Sequence, residues 1–108
     1  MFFDDWKEKS EGCEISKSLL WEYNMDEFDW DYMRRTVVQR VIERGWPKDY
    51  YAAIKMYGGL DNFREIIKNE VPYLSERDMN FVCVMFNLKK EELKCYTRKQ
   101  LREKLLSY

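Results

Sequence analysis

Histidine is absent from this chain of 108 residues. Its absence removes the commonest general base near neutral pH, the commonest metal ligand and every Ser-His or Cys-His nucleophilic pair. Proline occurs twice and glycine four times, so the few breakers present act as punctuation between elements. No apolar run approaches the roughly 18–20 residues of a membrane-spanning helix. The opening residues 1–12 hold aromatics, but neither the apolar stretch nor the small-residue cleavage site of a signal peptide. Cys13, Cys83 and Cys95 are odd in number and do not read as a secreted disulfide framework. The expectation is a cytoplasmic protein with reduced thiols and no membrane association.

What is present is apolar and charged in equal measure. Hydrophobic residues make up 45%, aromatics 17% and charged residues 36% of the chain. That is ample for one core and a densely ionic surface, and too apolar for a disordered chain. The formal net charge of −1 conceals an asymmetry. Residues 1–31 hold ten acids and three bases, whereas residues 32–108 hold sixteen bases and ten acids. Such a division suits an anionic partner for the later part. It equally suits an acidic leader folded onto a basic body.

Apolar spacing then predicts the elements. Residues 1–28 read as an irregular arm with a short helix near Ser16–Trp21, anchored by Trp6, Leu19, Leu20 and Trp21. Residues 29–108 read as the helical domain, the whole being a single domain. Met33, Val37, Val38, Val41 and Ile42 make one stripe of a helix over 30–44, with Asp29 as N-cap and Gly45 closing it in the left-handed conformation. Pro47 opens a second helix, over 48–57, that buries Tyr51, Ile54 and Tyr50 and ends at Gly58-Gly59. A third, over 60–70, turns Phe63, Ile66 and Ile67 inward. Ser75 with Asp78 heads a fourth carrying Met79, Val82, Cys83 and Phe86. After a turn at 89–93, Thr97 and Gln100 form a capping box ahead of Leu101, Leu105 and Leu106. The fold class is therefore all-α: a compact orthogonal bundle of five or six short helices with an irregular N-terminal arm.

Candidate chemistry is thin. Cys83, between Val82 and Val84, reads as a buried small hydrophobe, while Cys95 beside Lys94 near a helix start is where a lowered thiol pKa is conceivable. The cysteine spacings match no zinc pattern. Glu22, Asp26, Glu27, Asp29 and Asp31 are dense, but acids ahead of a first turn already serve the helix dipole. Gly58-Gly59 lacks the rest of a phosphate-binding loop. The expectation is no catalytic residue, no metal and no cofactor. The helix-turn-helix spacing of 34–57 presents Lys48, Asp49, Tyr50 and Tyr51, a poor reading head for bases. Lys89, Lys90, Lys94, Arg98, Lys99, Arg102 and Lys104 are better placed to meet phosphates. Aromatic and arginine anchors suited to a protein partner are Trp21, Trp46, Tyr50, Tyr73, Tyr96, Arg98 and Arg102, with Tyr108 a further exposed aromatic.

Five short motifs carry a resemblance: Leu20-Trp21-Glu22, Arg40-Val41-Ile42-Glu43-Arg44-Gly45, Tyr57-Gly58-Gly59, Leu74-Ser75 with Asn80-Phe81, and Lys90-Glu91-Glu92-Leu93-Lys94-Cys95. Across about residues 19–96 the chain resembles a family of small uncharacterised helical proteins of Bacteroidetes. Their genes are often found beside abortive-infection-type nucleotidyltransferase toxin genes. Glu22 stands where the family has Asp, Met56 where it has the first Tyr of a pair, and Val82 where it has Trp. The resemblance implies an antitoxin-like or accessory role, with a toxin encoded nearby as partner, and it supplies no catalytic residue. Taken together, the sequence predicts a non-enzymatic module that binds a protein partner. The alternative is a nucleic-acid-binding regulator using the basic C-terminal segment, and an aromatic-rich surface also suits a homodimer.

Overall fold

The computed structural model describes residues 3–106, with the backbone alone for Met25 and residues 103–106. The chain is a compact all-α bundle of short helices: α1 (Trp6–Lys9), α2 (Arg34–Arg44), α3 (Pro47–Met56), α4 (Leu60–Asn69), α5 (Glu76–Met85) and α6 (Lys94–Leu106). Single 3-10 turns lie at Lys17–Leu20, Met25–Glu27 and Lys90–Glu92. Among the described residues there is no strand. No helix among them is long and apolar enough to cross a membrane.

The predicted stripe of α2 is buried at Val37, Val38, Val41 and Ile42, whereas Met33 is only half-buried. The helix starts four residues later than its pattern suggests. The Asp29 carboxylate does cap, accepting the amides of Asp31 at 3.1 Å and Tyr32 at 3.0 Å, but it caps a separate turn ahead of Arg34. At the other end Gly45 is extended, with φ −75° and ψ 153°, which corrects the left-handed conformation expected of it. Glycine is needed there for another reason. A Cβ would lie 2.5 Å from the Val41 carbonyl oxygen, so only a bare α-carbon lets the chain leave the helix this tightly.

α3 follows at once, with Pro47 as its first residue and the Asp49 carboxylate accepting the Trp46 N–H at 2.8 Å. Its end is a Schellman arrangement: Gly59 N–H donates to the Ile54 carbonyl at 2.8 Å and Gly58 N–H to Lys55 at 3.3 Å. Both glycines have positive φ, +91° and +117°. Asn87, at φ 54°, plays the same part after α5, with Leu88 N–H donating to Cys83 at 3.0 Å. In front of α5 the Ser75 hydroxyl accepts the Asp78 N–H at 3.2 Å and donates to the Asp78 carboxylate at 2.9 Å. The Asp78 carboxylate takes the Ser75 hydroxyl and not the Ser75 amide, so the cap is one-sided.

The core lies between α2, α3, α4 and α5. Phe63 and Phe86 meet at 5.4 Å, and Tyr50 packs on both rings at 6.4 and 6.2 Å. Phe3 closes this cluster, stacked 5.2 Å from Tyr50 and 5.6 Å from Phe86. Each such side chain contributes about 1.5–3 kcal/mol of burial. Residues 3–22 therefore reach the body through side chains, and α1 sets Trp6 3.2 Å from where a Cβ on Gly59 would stand.

α6 departs most from the sequence reading. It begins at Lys94, three residues before the expected cap. Thr97 sits inside it, its hydroxyl donating to the Leu93 carbonyl at 3.5 Å, while the Gln100 amide donates to the Tyr96 hydroxyl at 2.9 Å. Leu93 and Cys95 are buried against the bundle, and seating them forces the helix to start there. Beyond that first turn most of the described side chains are open, with Leu101 56% exposed. The side chains of Glu103, Lys104, Leu105 and Leu106 lie outside the described ones, as does Tyr108.

Candidate functional site

A buried polar centre is built around Asp49, a residue the sequence marked only as an unsuitable base reader. Its carboxylate is fully buried. One oxygen accepts the Ser16 N–H at 2.7 Å and the Ser16 hydroxyl at 2.9 Å, and the other accepts the Trp46 N–H at 2.8 Å. Burial opposes its ionisation, but these donors outweigh burial and hold the carboxyl below the usual aspartate value. Lys48 adds its ammonium to the Ser16 hydroxyl at 2.8 Å and to the Glu14 carbonyl at 3.3 Å. Arg40 of α2 donates to the Leu19 carbonyl at 2.9 Å and to the Glu22 carboxylate. That bond is the main cause of the lowered Glu22 pKa. Residues 14–22 are thus a strap latched across the end of α2 and the first turn of α3.

The strap buries Ile15, Leu19 and Leu20 and leaves the next residue out: Trp21 is 76% exposed. Trp46, between α2 and α3, is 70% exposed. Arg40 holds Glu22, the neighbour of Trp21, and Asp49 holds both Ser16 of the strap and Trp46, so the two tryptophans flank one latch. The backbones beneath both indoles are held by Arg40 and Asp49.

The remaining anchors expected for a partner do not join them. Tyr50 is 4% exposed, its hydroxyl donating to the Ile42 carbonyl at 3.3 Å, so it belongs to the core, which corrects its place among the partner anchors. Tyr51, expected inside, is half-buried, with its hydroxyl on Asp5 at 3.0 Å. Of the three residues expected inside this helix, Tyr50 and Ile54 are buried and Tyr51 lies at the edge of the buried face. Tyr73 is exposed between α4 and α5. Tyr96 is half-buried in a cleft of about 240 Å³ that also takes in Glu76, Lys90, Lys99 and Gln100. Tyr32, 78% exposed, was missed. Its only signal was its position in the turn that Asp29 caps.

The basic residues divide as well. Lys89, Lys94, Arg98 and Arg102 are exposed, Lys90 and Lys99 are half-buried, and the Lys104 side chain lies outside the described ones. Lys94, Arg98 and Arg102 follow one another at four-residue steps on α6, which puts them along one face. Two arginines of the body are engaged elsewhere. Arg34 Nε donates to Glu70 at 2.6 Å, and Arg64 donates to the Phe86 and Asn87 carbonyls that end α5, at 2.9 and 3.3 Å.

Two clefts of about 450 and 460 Å³ flank the Arg34–Glu70 pair and share Asp31 with it. Their charges face each other, and the Glu70 hydrogen bond raises the Arg34 pKa. A smaller cleft of about 280 Å³ is apolar, lined by Ile15, Trp30, Ala52 and Met56 with Cys13 at its edge. Cys83 is half-buried, where full burial was expected. Burial raises both the Cys83 and Cys95 thiols above their usual pKa, which overturns the lowered value considered for Cys95. Among the described residues no three Cys, Asp or Glu side chains converge as metal ligands would.

A family model described as Family of unknown function (DUF6922) matches residues 15–67. That stretch runs from the strap into α4 and holds Trp21, Arg40, Trp46 and Asp49, so the similarity falls on the latched end. No curated protein and no solved structure matches the chain.

Proposed function

We propose that the chain is a non-enzymatic binding protein that docks a protein partner on the end bearing Trp21 and Trp46. The single observation behind this reading is that two indoles, 76% and 70% exposed, stand on backbones fixed by a buried carboxylate and an arginine. Preorganised aromatic side chains lose little freedom on docking, and tryptophan is the commonest interface anchor. The resemblance drawn from the sequence motifs adds an antitoxin-like or regulatory role in the cytoplasm, with a toxin as the partner to be covered.

The test is capture of the partner from the native host with the tagged chain and with its Trp21→Ala/Trp46→Ala variant. One stoichiometric protein, retained at about 0.5 M salt and after nuclease treatment, and lost from the variant, is the expected result. Recovery equal from both forms would sink the assignment of this end. Sedimentation of the purified chain separates a homodimer from a heteromeric partner.

A further inference from the structure

We propose that α6 is a second contact surface, one that lies along the phosphate backbone of double-stranded DNA and grips it with Lys94, Arg98 and Arg102. The nine residues 94–102 hold four cations, Lys94, Arg98, Lys99 and Arg102, and no acid. None of the four is paired with a described carboxylate, in contrast to Arg34 and Arg40 of the body.

The arrangement works against the helix that carries it. Lys94 is the first residue of α6, at the positive end of the helix dipole, and the first turn has no acid to offset it. Lys94, Arg98 and Arg102 then repel one another at successive i,i+4 spacings. No described carboxylate bonds Lys94, Arg98 or Arg102 in return, and it is Leu93, Cys95 and Tyr96 that fasten the first turn to the core. An anion alongside reverses every one of these terms.

The geometry favours duplex DNA over an acidic protein or an RNA helix. Steps of four residues place the three cations about 6 Å apart on a straight rod, a periodic ladder suited to a periodic charge. Thr97, Arg98, Gln100, Leu101 and Arg102 are all exposed, so most of the circumference is accessible beyond the first turn. A helix about 10–12 Å across matches the major groove of B-DNA, about 12 Å wide, whereas the major groove of A-form RNA is too narrow. The first turn, where a recognition helix would present its base-reading side chains, is fastened at Cys95 and half-covered at Tyr96. Contact is therefore with phosphates and independent of sequence. The acidic residues 1–31 repel the same polyanion, which disfavours binding through them.

The experiment is fluorescence anisotropy of a labelled mixed-sequence duplex of about 24 base pairs, titrated with the full chain from about 50 to 200 mM salt. Three phosphate contacts give a slope of log affinity against log salt of about −2.7, falling to about −0.9 in Arg98→Gln/Arg102→Gln. Circular dichroism checks that this variant is folded, and Lys17→Gln/Lys55→Gln, which removes two cations elsewhere, leaves affinity and slope as they were. Absence of saturable binding at about 50 mM salt overturns the proposal. So does equal loss in the Lys17/Lys55 variant, or competition by duplex RNA or polyglutamate as strong as by unlabelled DNA.

Discussion

The strapped end and α6 each carry four described cations, Lys17, Arg40, Arg44 and Lys48 against Lys94, Arg98, Lys99 and Arg102, and use them differently. At the strapped end Arg40 and Lys48 are spent on carbonyls and hydroxyls of residues 14–19, more than twenty positions away in sequence. On α6 the cations bond to nothing described: Lys94, Arg98 and Arg102 are exposed, and Lys99 lines the cleft of Tyr96 and Glu76. Charge at the first place holds the fold, and removing it should cost stability. Charge at the second does nothing for the fold, and removing it should leave stability alone or raise it.

The sharpest way to break this contrast is Asp49→Ala. It strands the buried Ser16 and Trp46 amides, and we expect a loss of about 3 kcal/mol in urea unfolding, with faster hydrogen exchange at Ser16. A loss below about 1 kcal/mol would mean that the strap is held by its leucines alone. Gly45→Ala comes next. Its methyl meets backbone that cannot yield, and about 2 kcal/mol should be lost by the same measurement.

Acid should act on the strapped end selectively. The Asp49 pKa is lowered in the folded state, so its contribution is present above the unfolded aspartate value of about 3.9 and lost as pH falls through the lowered folded value. Thermal melts on descending through that window should fall more steeply for the natural chain than for Asp49→Asn. Parallel curves would remove Asp49 from the account. Trp21→Ala and Trp46→Ala should each change stability by about 0.5 kcal/mol or less while abolishing partner capture. The smallest effect belongs to α6: Arg98→Gln/Arg102→Gln should leave the melting midpoint unchanged or raise stability by a few tenths of a kcal/mol.

The helices of the bundle were legible because their punctuation is local. Gly45-Trp46-Pro47, Gly58-Gly59 and Pro72 each mark a boundary within a few residues, and the apolar stripes of α2 and α4 repeat at helical spacing. α1 is a single turn and has no period to detect. Thr97 and Gln100 carried a valid capping pattern that lost to a tertiary demand, the seating of Leu93 and Cys95. The sites were harder. Trp46 is exposed as its place among the partner anchors requires, whereas Trp21, also read as an anchor of the arm, is exposed and leaves the anchoring to Leu19 and Leu20; Tyr50 is buried with its helix and Tyr51 only half so. Asp49 could not have been singled out, because its partner Ser16 is 33 residues distant and no spacing rule reaches that far.

That separation orders events in time. During synthesis the strap leaves the ribosome well before α3, and the amide and hydroxyl of Ser16 have no acceptor until Asp49 follows. Contacts among α2, α3 and α4 close shorter loops and form with less entropic delay. The nascent chain therefore passes through a stage in which the helices are paired and residues 14–22 still hang free. At that stage Leu19 and Leu20 of the strap, later buried against the body, are open to chaperones or to the strap-binding face of another copy.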